Sequence, residues 1–150
     1  MTEPLEIAKE KEIKCRIKSK AYSIWLTALA PANLVLVVGG ALLSLVAGSS
    51  LLIEQGLITK AEAGLMALAS AGFAIIHKSL NCDHHQAECK KLKNFFSSMA
   101  ESYDDLRLIE DEGKLKDKLE ELNTEYNHIL KNKTADPLNL AVRMAEKHYA

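Results

Sequence analysis

The chain has 150 residues and a net charge of −1, a single-domain length with no electrostatic case for a nucleic-acid partner. Hydrophobic residues make up 48% of it, yet they are crowded between residues 25 and 76 instead of striping every element, which argues against an ordinary water-soluble globule. Three cysteines, Cys15, Cys82 and Cys89, are too few and too oddly numbered for a secreted disulfide framework. The charged residues of both signs that precede the first apolar run do not fit a cleavable signal peptide.

Residues 1–24 read as a charged amphipathic helix, with Pro4 suited to its first turn and Ile13, Ile17 and Ile24 along one side. It is either an interfacial helix on anionic lipid or a stalk that continues into the first apolar run. From Trp25 to Ile53 no residue carries a formal charge, and this exceeds the roughly 20 residues that a membrane span needs. Trp25 stands at the edge of the run, where an indole favours the headgroup level. Pro31 and Asn33 are compatible with a kink or a first helical turn near its start.

A polar turn occupies 54–62. Thr59 and Glu62 have the spacing of a capping box that starts the next helix. The second apolar run, 63–80 with its uncharged part from Ala63 to Ile76, is short enough to be a buried soluble helix and reads as the return arm of a hairpin. Lys9, Lys11, Lys14, Arg16, Lys18 and Lys20 precede the first span, and Lys78, Lys90, Lys91 and Lys93 follow the second, against Lys60 alone between them. By the positive-inside rule both termini are cytoplasmic and the chain is an inner-membrane, multi-pass protein.

Small residues recur four apart in each span: Gly40, Ser44 and Gly48 in the first, Ala63, Ala67 and Ala71 in the second. In lipid, helices associate by close backbone approach at such residues. With Asn33, whose amide needs a partner or water in hydrocarbon, they form a candidate seam. It serves either homo-oligomerisation and a pore or the packing of the two arms on each other.

After the second span, 81–131 is expected to hold cytoplasmic helices. Leu92, Phe96, Met99, Tyr103 and Leu106 step with heptad, coiled-coil spacing, as do Leu115, Leu119, Leu122, Tyr126 and Ile129. Asp111-Glu112-Gly113 separates the two runs, which read as two helices or one with a skip. These stripes would hold copies together or hold a resting state. Thr134 to Pro137 stops the second run, and Asp136-Pro137 is expected to open a last helix within 132–150.

Cys82, His85 and Cys89 share a helical face, but a structural zinc site wants four ligands, so no metal is assigned and the segment reads as a polar collar. A proton-sensing role for His77, His84 and His85 is weaker still. Asp104-Asp105 and Glu110-Asp111-Glu112 read as a solvated face. No phosphate loop, HExxH or GxSxG motif appears, so neither a cofactor nor an enzymatic activity is expected.

The expected architecture is therefore all-α: a single two-transmembrane domain over 1–150, with an N-terminal amphipathic helix, a transmembrane hairpin and a cytoplasmic helical extension. Its layout resembles the SLATT family, two-transmembrane effectors of bacterial conflict and anti-phage systems. The resemblance covers most of residues 9–137. It lies in the basic helix leading to Trp25, the tight return, His84-His85 upstream of Tyr103-Asp104-Asp105-Leu106, and Glu125-Tyr126-Asn127-His128-Ile129-Leu130 before Pro137. It implies an effector that oligomerises and permeabilises the membrane on a signal from a partner sensor protein or a nucleotide. The rival expectations are a membrane scaffold or regulatory subunit without a pore, a holin-like lysis protein, and a soluble bundle with residues 30–76 at its centre.

Overall fold

The computed structural model describes residues 2–52, 58–79 and 82–149. Residues 54–57 of the turn placed at 54–62, the end of the first span at Ile53, and Leu80 and Asn81 lie outside the described residues. Helices make up the architecture, with no strand among the described residues. In chain order they are α1 (Thr2–Leu34), a π turn (Val35–Gly39), α2 (Gly40–Leu52), α3 (Lys60–Ser79), α4 (Cys82–Asp105), a 3-10 turn (Leu106–Leu108), α5 (Glu112–Asn132) and α6 (Asn139–Tyr149).

The stalk alternative describes the N-terminal region. Glu3–Ser50 is one helical run of 48 residues, with no boundary at residue 24. Pro31 lies inside α1 without ending it. Four residues on, the backbone loosens into the π turn, a form that occurs mostly as a single-turn insertion in longer helices. This run alone among the described helices is both long and apolar enough to cross a membrane by itself, and only 6% of its apolar window is buried.

The chain divides into two compact units, Met1–Thr27 with Ala87–Ala150, and Ala28–Gln86. In the first unit the heptad stripes of α4 and α5 close on the N-terminal part of α1. Phe96 is at its centre, 1% exposed. The Tyr22 ring stacks on Phe96 at 5.9 Å between centroids, and Tyr126 meets it edge-on at 6.1 Å. Two of the three buried tyrosines find acceptors for their hydroxyls: Tyr22 donates to the Ala135 carbonyl (2.9 Å) and Tyr103 to Asn123 Oδ1 (2.9 Å). A buried hydroxyl without an acceptor would cost about 1–3 kcal/mol.

The isoleucine side is only partly the face that α1 buries: Ile13 is exposed and Ile17 and Ile24 are half-buried, whereas Ala8, Glu12, Cys15, Ala21 and Tyr22 are buried. Glu12 enters the core because two cations meet it there. Its carboxylate accepts from Arg16 Nε (2.7 Å) and from Arg107 Nη2 (2.5 Å).

Asp111 explains the interruption between the heptad runs. It is the N-cap of α5, its side chain accepting from the Lys114 N–H (2.9 Å). The last helix begins later than Asp136-Pro137 implies. Ala135 is buried with its carbonyl held by Tyr22, and Asp136 is paired with Lys133, so this stretch is spent on tertiary contacts. The first bond of α6 runs from the Val142 N–H to the Leu138 carbonyl (3.2 Å).

The second unit is built from the end of α1, the π turn, α2, α3 and the start of α4. At the start of α3 Thr59 and Glu62 form the expected capping box. The Thr59 N–H donates to Glu62 Oε2 (2.7 Å) and the Glu62 N–H to Thr59 Oγ1 (3.3 Å). The helices α2 and α3 pack on each other.

Candidate functional site

The second unit exposes many large aliphatic side chains. Leu34, Val35, Leu42, Leu45, Leu65, Leu68 and Ile75 are all more than half exposed, with Leu68 at 72%. The chemistry lies along the line where α2 and α3 meet. Gly40, Ala47, Ala63 and Ser70 are buried there, and Asn33 and His77 continue the line as half-buried residues. These positions recur every seventh residue: 33, 40 and 47 on one strand of the pair, 63, 70 and 77 on the other.

At the middle of the line Ser70 Oγ donates to the Gly40 carbonyl (2.7 Å) and shares a second bond with Ser44 Oγ (2.6 Å). Gly40 makes this possible. A β-carbon there would sit 3.6 Å from Phe73 Cβ and 3.8 Å from the Ser70 carbonyl, so a methyl fits but nothing longer does. Toward the other end Asn33 Nδ2 donates to Asp83 Oδ1 (2.8 Å) and to Gln86 Oε1 (3.3 Å). His77 Nε2 lies 3.6 Å from the second oxygen of the same Asp83 carboxylate, within ion-pair reach but too far for a hydrogen bond. Asn33 Oδ1 and His77 Nε2 are buried and make no hydrogen bond among the described residues. A groove of about 390 Å³ follows the line, with Leu36 and Val37 of the π turn in its wall and Ser44, Ser70 and His77 as its polar lining.

The residues expected as an oligomer or pore seam divide between two surfaces. Gly40, Ser44 and Ala63 lie at or beside the α2–α3 contact, and Asn33 joins its polar end. Gly48, Ala67 and Ala71 are exposed, and nothing lies within 4 Å of a β-carbon built on Gly48. The reason is rotational. At 3.6 residues per turn, a step of four turns the helix about 40° too far, and two such steps leave the contact face, whereas a step of seven falls back only about 20°. Four-residue spacing therefore selects Gly48, Ala67 and Ala71 and passes over Ala47 and Ser70. Two signals in the sequence pointed to the right set: the seven-residue recurrence, and Ser70 as the polar residue in mid-run.

The residues expected as cytoplasmic packing positions come together. Leu92, Phe96, Met99, Tyr103, Leu106, Leu115, Leu119, Leu122 and Tyr126 are buried, and Ile129 is half-buried. They form the core of the first unit within one chain. None of Cys15, Cys82 and Cys89 is in a disulfide. Cys89 is buried, Cys82 and His85 are half-buried, and among the described residues no three His, Cys, Asp or Glu side chains converge as a metal site would require. Burial pushes the Cys15 thiol up to about 12 and raises that of Cys89 as well, so neither is a reactive thiolate near neutral pH. Compared with known proteins, the chain matches no family model, no curated protein and no solved structure.

Proposed function

We propose that the chain is an inner-membrane protein whose α1–α2 run and α3 cross the bilayer as a hairpin with both termini cytoplasmic. Copies assemble to permeabilise the membrane as the effector of a bacterial defence system, released by a partner sensor protein or a nucleotide signal, as the SLATT resemblance implies. The observation that carries this reading is the inverted second unit: large aliphatic side chains outside, a line of hydroxyl, amide and imidazole groups inside. In water such a surface is an aggregation liability, while in hydrocarbon it is the required arrangement. The bias of Lys and Arg to the two flanks supports the orientation. The polar groove supports a water path, since rotating the pair about its contact would bring Ser44, Ser70 and His77 of several copies around one lumen.

Purified full-length protein in liposomes tests the reading. Dye release should rise more steeply than linearly with protein density, as assembly requires. Vesicles that stay tight at every loading, with and without candidate nucleotides, would leave the scaffold in its place. The closed bond set of Ser44, Ser70 and Gly40 favours that second reading, because it gives the isolated pair no unsatisfied hydroxyl donor to offer a neighbour.

A further inference from the structure

We propose that the first unit holds a binding pocket for a phosphate group, of a lipid headgroup or a free phosphate, between α1, α4 and the end of α6. The pocket has a volume of about 180 Å³. Arg16, Lys20 and Ser23 of α1 line one side, and Lys93, Ser97 and Glu101 of α4 the other. Behind them Ser19 Oγ donates to the Lys93 carbonyl (3.1 Å), which ties the two walls together.

The donors in this pocket are in excess of their acceptors. Some lysines elsewhere on the unit find carboxylates one turn away, as Lys14 does with Glu10, Lys116 with Glu112 and Lys118 with Glu121, and what sets this pocket apart is that its lysines converge with hydroxyls on one space. Among the described residues the ammonium groups of Lys20 and Lys93 have no such partner, and the hydroxyls of Ser23 and Ser97 make no hydrogen bond. Arg16 divides its charge with Glu12 and still faces the pocket. Two ammonium groups and two hydroxyls around one small space suit a ligand with several acceptor oxygens and negative charge, which is the chemistry of phosphate. The volume is that of about six waters, room for the phosphate and not for the rest of a nucleotide or lipid, which would extend through the mouth.

Position favours a headgroup. Lys20 and Ser23 stand within about two turns of Trp25, where the uncharged run begins, and basic residues beside a span hold anionic lipid. That source rests on the membrane reading; free phosphate does not.

Full-length protein in a phosphate-free maltoside detergent provides the test. Its melting, followed by Trp25 fluorescence, is measured against inorganic phosphate and against chloride at equal ionic strength, and in a second arm against phosphatidylglycerol or phosphatidylcholine in mixed micelles. The expected result is stabilisation by phosphate, or by phosphatidylglycerol over phosphatidylcholine, with apparent affinity falling about tenfold in Lys20→Gln and in Lys93→Gln, the loss of one charge-assisted bond. Glu101→Gln, which removes the one acid on the lining, should tighten binding, and Lys131→Gln on α5 should leave it unchanged. Response to phosphate assigns a soluble ligand, response to phosphatidylglycerol alone a lipid, and either upholds the pocket. Equal melting in every anion and lipid, or equal weakening by Lys131→Gln, overturns it. The detergent arm with inorganic phosphate is independent of whether α3 spans the bilayer, so it separates a failed pocket from a failed membrane topology.

Discussion

The two units use the same helical period in opposite senses. In the first, each seventh-residue stripe carries large side chains, Phe96, Tyr103 and Leu106 among them, and turns them away from solvent. In the second, the seventh-residue stripe carries Asn33, Gly40, Ala47, Ala63, Ser70 and His77, and the large side chains occupy the outside. On the proposed membrane reading the contrast follows from the two solvents. Water drives apolar side chains together, so bulk is placed inward; lipid would give no such drive, so the contact would come from close approach and from hydrogen bonds that hydrocarbon does not compete for.

The largest effects should separate the two regimes outright. Phe96→Ala removes a ring packed between Tyr22 and Tyr126 and should cost about 3–5 kcal/mol of stability, read by denaturant or thermal unfolding in detergent. Leu68→Ala, at a 72% exposed position, should change melting little, whereas Leu68→Arg should impair insertion by about 3 kcal/mol at mid-membrane depth, read by alkali extraction. If Leu68→Arg partitions into the membrane as the parent does, the outer face of α3 is not in lipid.

A smaller effect tests which face of α2 makes the contact. A methyl on Gly40 meets neighbours at ordinary van der Waals distance, so Gly40→Ala should be nearly neutral. Gly40→Leu forces apart Phe73 and Ser70 and should cost about 1–3 kcal/mol. Gly48→Leu meets no neighbour in the chain and should leave the pair intact. Crosslinking in membranes adds a second reading. Loss of oligomers in Gly48→Leu with the pair preserved would assign the exposed Gly48, Ala67 and Ala71 face to contacts between copies; undiminished oligomers would release it from that role.

The alkaline limb of stability probes the first unit's interior. Cys15 is fully buried, and its thiol is pushed up to about 12 by that burial, with Tyr22 and Tyr103 raised for the same reason. Between the unfolded thiol value, roughly 8.5, and the folded one the native chain holds more protons than the unfolded chain, so stability is full below that window and falls as pH rises through it. Cys15→Ala should flatten the fall that begins above about pH 9, and in the parent Cys82 should alkylate well before Cys15 or Cys89. Simultaneous alkylation of all three at pH 8 would contradict the buried thiols.

Much of this organisation is legible in the residues. The heptads of α4 and α5, the Thr59–Glu62 capping box and the uncharged run after Trp25 each depend on local spacing, which a sequence displays directly. What was not legible depends on partners far along the chain. The burial of Glu12 is decided by Arg107, and the delayed start of α6 by the hold of Tyr22 on Ala135. The knot of Asn33, His77, Asp83 and Gln86 is a meeting of four residues from three helices, and no spacing rule announces it. The contact of α2 with α3 was half legible: four-residue spacing finds Gly40, Ser44 and Ala63, and only seven-residue spacing adds Ala47 and Ser70.

The smallest expected effect is also the most direct test of the lipid-side interface. Ser70→Ala deletes the bond to the Gly40 carbonyl and the bond shared with Ser44, leaves the helix backbone untouched and opens no large cavity. In a water-excluded contact the loss should be about 0.6 kcal/mol for each of the two bonds, the average for hydrogen bonds between membrane helices, which reach about 1.7 kcal/mol at most. A double cycle with Ser44→Ala isolates the Ser44–Ser70 term from the Gly40 term, because only Ser70 serves both. A coupling near zero, together with a Ser70→Ala cost near zero, would mean that the hydroxyls reach water in the membrane-embedded pair. The groove lined by Ser44, Ser70 and His77 would then already be wet, and permeation would need only the assembly of copies, with no rearrangement of the pair itself.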